Sequence, residues 1–371
     1  MRGPLILGLA LANAACSLDL PPEYKVDDLR VLDIQVDPPE VPVFQPIIAT
    51  GTVSLSFDPM HPPPVFRQPV RVRAFVAHPD LGATFSYDWI RCRPGLDRVP
   101  CDPADASSLV PERTSEISFT PIDTLFAELA VDPANIAQVA GALAEDPRDL
   151  LNGLYAYVNL QANVEQAAIA ADTARIQATK RVVLFDPRLV ALALEQAQRI
   201  DPSQIPAGAG LPNLCAGVSD TQLKTLMDFL ASREPNRAPR IRGVHVEVNH
   251  VDGSVTTTIT PGQGEALTVD ETDVVTLEGV PTSSSTEHYG LIDANCLLQS
   301  FDERLAFSWF INGGSLAHQI TTPEDTTTDL NLPPARSLSS SGGRLRVWVV
   351  LRDGRGGSAH GFFDLNVKGA P

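Results

Sequence analysis

Apolar and polar positions alternate with a period of two through most of this chain, which is the signature of half-buried β-strands. In "LRVLDIQVD", Leu32, Ile34 and Val36 share one face while Asp33, Gln35 and Asp37 share the other. The same period recurs in "VSLSF" from Val53, "VRVRAFV" from Val70, "FSYDW" from Phe85, "LYAYVNLQANV" from Leu154 and "RVVLF" from Arg181. It resumes in "IRGVHVEVNHVDG", "SVTTTIT", "ALTVDETDVVTLEGV", "RLAFSWFI" and "TTDLNLP". The clearest hairpin comes last: Leu345, Val347, Val349 and Leu351 alternate, "DGRGG" turns, and Phe363, Leu365 and Val367 return. "PTSSSTEHYG" and "SLSSSGG" read as solvated loops.

Helical spacing interrupts this pattern in two places. In "VDPANIAQVAGALAED", Asp132 is placed to cap and Pro133 to open a helix that repeats Ile136, Val139, Ala140 and Leu143. It predicts a helical insertion near 122–149. Ser219 with Gln222 has the spacing of a capping box ahead of Leu223, Leu226, Met227 and Leu230. Residues 188–238 are therefore expected as a helical linker that ends in "SREPNRAPR".

The two halves run through the same order of features. Each has an entry strand after a proline-rich stretch, a strand carrying a tryptophan ("FSYDWIRC" and "LAFSWFINGG"), and a late apolar strand ending in Asp ("KRVVLFD" and "RVWVVLRD"). The expected fold class is mainly β, with two immunoglobulin-like sandwiches at 29–187 and 239–369.

Composition agrees with a β-rich chain: 32 of 371 residues are proline, which breaks helices and is tolerated in turns and at strand edges. The net charge of −17 repels phosphate backbones, and no Lys/Arg cluster offsets it, so nucleic acid is not an expected partner. The same balance argues against adsorption on anionic lipid through basic residues.

The N-terminus points to export. Arg2 supplies a positive charge, and Leu5 to Ala12 form an apolar run of secretory length, too short to span a bilayer. Ala12-Asn13-Ala14 fits ordinary signal-peptidase cleavage, whereas Ala14-Ala15-Cys16 resembles the end of a bacterial lipobox with Asn13 where Leu, Val or Ile usually stands. Residues 1–15 are expected as the signal peptide and 16–28 as a polar tether. Of the five cysteines, lipidating Cys16 leaves an even set suited to an oxidising compartment. Cys92 and Cys101 enclose the turn-rich "RPGLDRVP", and Cys215 would then pair with Cys296. Four cysteines allow three connectivities, and buried free thiols are the other reading of the second pair.

"LRVLDIQVDPPEV" together with "RVWVVLRDGRGG" resembles a group of uncharacterised bacterial lipoproteins with immunoglobulin-like domains. The terminal hairpin is similar to the last two strands of polycystic-kidney-disease-type domains of bacterial surface proteins. The resemblance implies an exported, anchored sandwich protein with no catalytic residues. Its expected partners are the membrane, through the lipid on Cys16, and an unidentified protein or glycan. Ser17 after the cysteine resembles the outer-membrane class of lipoproteins. The alternative is a secreted or periplasmic accessory protein that binds carbohydrate or calcium.

Candidate chemistry is sparse, and neither a cofactor nor an enzymatic activity is expected. His245 and Glu247 fall on one face of "HVEVNH" and His250 on the other, so a metal would need a further ligand. Asp270, Glu271 and Asp273 in "VDETD", and Asp353 before "GRGG", offer oxygens for calcium without the spacing of a known calcium loop. Ser358 and His360 share a strand face, but the sharp turn that presents a hydrolase nucleophile is missing.

Overall fold

The computed structural model describes residues 23–42, 48–49, 52–53, 69–91, 107–108, 114–118, 154–165, 175–185, 219–250, 253–262, 266–293 and 297–369. All five cysteines, the apolar N-terminal run and the expected helical insertion near 122–149 lie outside these residues. The chain is mainly β, as the alternation predicts.

The first repeat holds β1 (Arg30–Asp37), β2 (Glu40–Pro42), β3 (Ile48–Ala49), β4 (Thr52–Val53), β5 (Pro69–Ala77), β6 (Phe85–Arg91), β7 (Ser107–Ser108), β8 (Thr114–Ser118), β9 (Leu154–Val164) and β10 (Arg175–Phe185). Helix α1 (Asp220–Ser232) follows. The second repeat opens with β11 (Ile241–His250), β12 (Gly253–Ile259), β13 (Ala266–Asp270), β14 (Val274–Pro281), β15 (His288–Ile292) and β16 (Leu298–Asp302). It continues with β17 (Ala306–Ile311), β18 (Ser315–Leu316), β19 (Ile320–Thr321), β20 (Thr327–Asn331), a 3-10 turn (Ala335–Ser341), β21 (Arg344–Arg352) and β22 (Ser358–Lys368).

The same pairing order appears twice. In the first repeat β1-β5-β8 form one sheet and β2-β10-β9-β6-β7 the other; in the second, β11-β14-β20 and β13-β22-β21-β17-β19 reproduce those neighbours. In both, a short early strand lies parallel to the last one, β2 on β10 and β13 on β22. The tryptophan strands β6 and β17 occupy equivalent places, and Trp89 and Trp309 are both 0% exposed. The second repeat adds β12 outside β11, β18 outside β20, and a separate β15–β16 hairpin.

Each repeat fills one core from both of its sheets. Ile34, Val36, Val70, Val72 and Ala74 meet Tyr87, Trp89, Val158, Leu160, Ala162 and Val182 in the first. In the second, Val244, Val246, Val248, Val275 and Leu277 meet Trp309, Leu345, Val347, Val349, Leu351, Phe363 and Leu365. A buried Trp Nε1–H needs an acceptor, and that of Trp309 donates to Thr321 Oγ1 at 3.1 Å.

A third, smaller core joins the repeats: Val26, Leu32, Phe75 and Ala77 pack with Trp348 and Val350. Its existence explains why "RVWVVLR" and "RAFVA" are apolar at consecutive positions, since β21 and β5 are buried on both faces. Two expectations change here. A register shift between Val31 and Asp33 inserts Leu32 as an extra residue, so Leu32 faces the joining core and Asp33, expected on a solvated face, is buried beside it. The expected tether over 16–28 is docked along its last part: Val26 N–H donates to Ile311 O at 2.7 Å, and Ile311 N–H donates to Tyr24 O at 2.9 Å.

Local signals hold elsewhere. Ser219 and Gln222 form the predicted capping box at the start of α1. "PTSSSTEHYG" is more ordered than its composition suggests, because Ser285 is buried against the Arg240 backbone and the segment runs on into β15. "SLSSSGG" forms part of the 3-10 turn, held by buried Leu338.

Candidate functional site

The densest polar chemistry lies at the junction between the repeats. Arg355, in the β21–β22 turn, donates from Nη1 to Glu303 Oε1 at 2.9 Å and to Glu287 Oε2 at 3.3 Å. Its Nη2 reaches Glu40 Oε2 of the first repeat at 3.2 Å. Glu40 also pairs through Oε1 with Arg233 at the end of α1 at 2.7 Å, and accepts from Asn236 N–H at 3.1 Å. Asn236 Nδ2 in turn donates to Asp353 Oδ2 at 2.9 Å, closing the network. The guanidinium of Arg355 also lies 4.3 Å from the centre of the Tyr289 ring.

Glu40, Glu287 and Glu303 thus pair with two buried guanidiniums, with Asp353 tied to them through Asn236 and the exposed Arg237 reaching Glu287 only at 3.9 Å. Burial and the neighbouring Asp353 charge push Glu303 up to about 7 against the pull of Arg355. Burial also raises Asp353, opposed by the hydrogen bond from Asn236 and by backbone donors. Burial lowers Arg233, and the charge of Glu40 opposes that shift.

Asp353 holds its own turn. Its Oδ1 accepts from Arg355 N–H at 2.7 Å and Gly357 N–H at 2.9 Å. A Cβ on Gly357 would sit 2.1 Å from Asp353 Oδ2, so glycine is required there for close approach. Asp353, whose oxygens the sequence offers as candidates for calcium, uses them instead within the fold: they are engaged and the side chain is buried.

A second cluster lies beside this network. Asp33 Oδ2 accepts from Ser358 Oγ at 2.7 Å and lies 3.3 Å from His360 Nδ1, while the His360 ring stacks on Phe75 at 4.1 Å. Burial would raise the Asp33 carboxyl, yet the His360 hydrogen bond, the Lys180 charge and the Ser358 hydrogen bond together hold it below its usual value. Burial lowers Lys180, and Asp33 opposes that shift. Arg352 completes the contact, donating to Ser308 Oγ at 2.8 Å and to the Leu32 carbonyl at 2.9 Å.

Ser358, His360 and Asp33 contain the residue types of a hydrolytic triad in the wrong connection. A triad needs the base between nucleophile and acid. Here the carboxylate lies between serine and histidine, and all three side chains are buried at the junction. The arrangement can fix two surfaces together; it does not present an activated hydroxyl.

The structure separates the residues of "HVEVNH". His245 Nδ1 lies 3.2 Å from Glu278 Oε2 on the outer face of the β11–β14 pair, and Glu247 shares that face. His250 instead meets Asp273 Oδ1 at 2.9 Å, and with Asp270 the three ligand atoms lie within 4.8 Å of one another. Asp273 is already used inside its turn, since Oδ2 accepts from Asp270 N–H at 2.7 Å. Glu271 points elsewhere and accepts from Ala335 N–H at 2.9 Å. The two fragments that spacing separated, "NH" and "VDETD", therefore meet at one end of the second repeat.

Sequence reasoning passed over Glu40, Lys180, Arg233, Asn236, Glu287, Glu303 and Arg355. The Arg355–Glu40 contact joins residues 315 positions apart, a separation that no local motif registers. The one available signal was charge inside proline-rich or glycine-rich connections, where solvation is the ordinary expectation. Against known proteins, the chain matches no family model and no curated protein.

Proposed function

We propose that this protein is exported, lipid-anchored through Cys16, and serves the cell envelope as a structural or binding module of two immunoglobulin-like sandwiches. The observation that carries the module reading is the buried junction. Its charged and polar side chains are engaged in joining one repeat to the other, and Asp33 stands between Ser358 and His360. Recognition would then fall to the loops and exposed strand edges of the repeats.

The anchor reading rests on the apolar run Leu5–Ala12 followed by Ala14-Ala15-Cys16, and on the docking of Tyr24 and Val26 against Ile311. Eight Cα-to-Cα steps lead from Cys16 to Tyr24, so covalent geometry limits the free tether to ~28 Å. An anchored second repeat would be held close to the lipid surface. Several acyl chains would make that attachment stable, at about 0.8 kcal/mol per buried CH₂.

Two disulfides, Cys92–Cys101 and Cys215–Cys296, are part of the same proposal. What supports the second is that α1 begins five residues after Cys215 and lays Phe229 over Gly290 of β15, whose hairpin partner β16 begins two residues after Cys296.

Growth of the producing cell with a clickable fatty acid tests the reading. The chain should carry the label and lose it with Cys16→Ser. An unlabelled wild-type chain, or a mature N-terminus at Ala15, overturns the anchor.

A further inference from the structure

We infer that the outer edge of β12 is a self-association site, at which two copies of this chain pair antiparallel and extend the β12-β11-β14-β20-β18 sheet across both molecules. This goes beyond the module reading, because it names a partner and a surface.

Edge strands expose unpaired backbone donors and acceptors, and proteins blunt them by shortening or charging them. In the two sheets of the second repeat, three of the four edges are treated in this way. β18 and β19 are two residues each, and β13 ends at Asp270. The fourth, β12, is seven residues of "GSVTTTI" with neither a charge nor a proline. It is also an addition to the common plan, since among the described residues the three-stranded sheet of the first repeat has no counterpart outside β1.

Side-chain placement favours a like partner. The register of β11 with β12 puts Val255 opposite Val248 and Thr257 opposite Val246, on the face that carries the core. Val248 and Val246 are buried, yet Val255 is 56% exposed, so the sheet overhangs its core at this edge. A second copy paired about Thr256 sets Val255 against Thr257 of the other molecule and covers the overhang. The opposite face brings Ser254 against Thr258.

Charge does not oppose the pairing. Among the described residues, the nearest acid on the outer face is Glu247, opposite Thr256 on β11. Three strand spacings would then separate the β11 strands of the two copies, ~14 Å. That exceeds the screening length of about 8 Å at physiological ionic strength, so the two Glu247 side chains barely repel. For a chain of net charge −17, an uncharged edge is a place where two copies can meet at little electrostatic cost.

The register makes a sharp test. In the full-length chain, Thr256→Cys places two thiols directly opposite one another, within the ~4.4–6.8 Å Cα separation that a disulfide spans. Ser254→Cys leaves the equivalent thiols ~14 Å apart along the strands. Under mild oxidation, Thr256→Cys should give a reducible product of twice the chain mass, at least fivefold more than Ser254→Cys. Adding Val255→Lys to Thr256→Cys should abolish it, while circular dichroism confirms that the variant is folded. No dimer from Thr256→Cys, equal dimer from both cysteines, or a cross-link of another mass overturns the inference.

Discussion

Arg355 Nη2 of the second repeat lies 3.2 Å from Glu40 Oε2 of the first, and the same guanidinium bonds Glu303 and Glu287 through Nη1. One side chain therefore ties the first repeat, the base of the β15–β16 hairpin and the β21–β22 turn together. A buried ion pair gains little net stability over apolar packing, but removing one partner strands a charge. Arg355→Ala should destabilise the protein by about 3–5 kcal/mol in urea denaturation. A change within 0.5 kcal/mol would mean that water already solvates these carboxylates.

The acids around Arg355 set a pH dependence. Glu303 titrates at about 7 when folded, above its ordinary 4.5, so the folded state binds more protons than the unfolded state between those values. Stability should fall as pH rises from about 4.5 to 7, with Asp353 adding in the same direction. Glu303→Gln should flatten this slope, read as the shift of the urea midpoint between pH 5 and pH 8. An unchanged slope in the variant would place the titration elsewhere.

Asp33 acts with the opposite sign. Its folded carboxyl lies below 3.8, so its contribution is present above that value and is lost as pH falls through the lower folded value. Asp33→Asn removes the charge facing His360 and Lys180 and should cost about 1–3 kcal/mol at pH 7. The cost should shrink as the wild-type carboxyl protonates. A pH-independent loss would show that the effect is packing alone.

The turn at Asp273 yields a local prediction. Asp273 is buried, and its two oxygens meet Asp270 N–H and His250 Nδ1. Asp273→Ala should leave a backbone donor unsatisfied and lower stability by about 1–3 kcal/mol. Exchange of the Asp270 amide with deuterium should quicken in parallel. Unaltered exchange would dissociate the side chain from the turn.

Most strands were legible because a period of two survives wherever one face meets a core and the other meets water. Val244, Val246 and Val248, or Leu345, Val347, Val349 and Leu351, needed no further information. The exceptions cluster at the junction, where the second face is also buried. Trp348 and Val350 look like surplus hydrophobics until the first repeat covers them, and the inserted Leu32 turns Asp33 from an outward acid into a buried one. The shared order of the halves was visible through Trp89 and Trp309, but its pairing scheme was not, because β2 and β13 are too short to announce their parallel partners. The junction acids and arginines were illegible for a plainer reason: each looks like a solvated loop charge until the fold brings the others to it.

Calorimetry of the full-length chain tests the central claim most directly, namely that the buried chemistry joins the repeats into one module. The wild type should unfold in a single cooperative transition at pH 6, and Trp348→Ala combined with Arg355→Ala should resolve it into two. Two separate transitions in the wild type, or one transition that the paired substitution neither splits nor shifts, would contradict it.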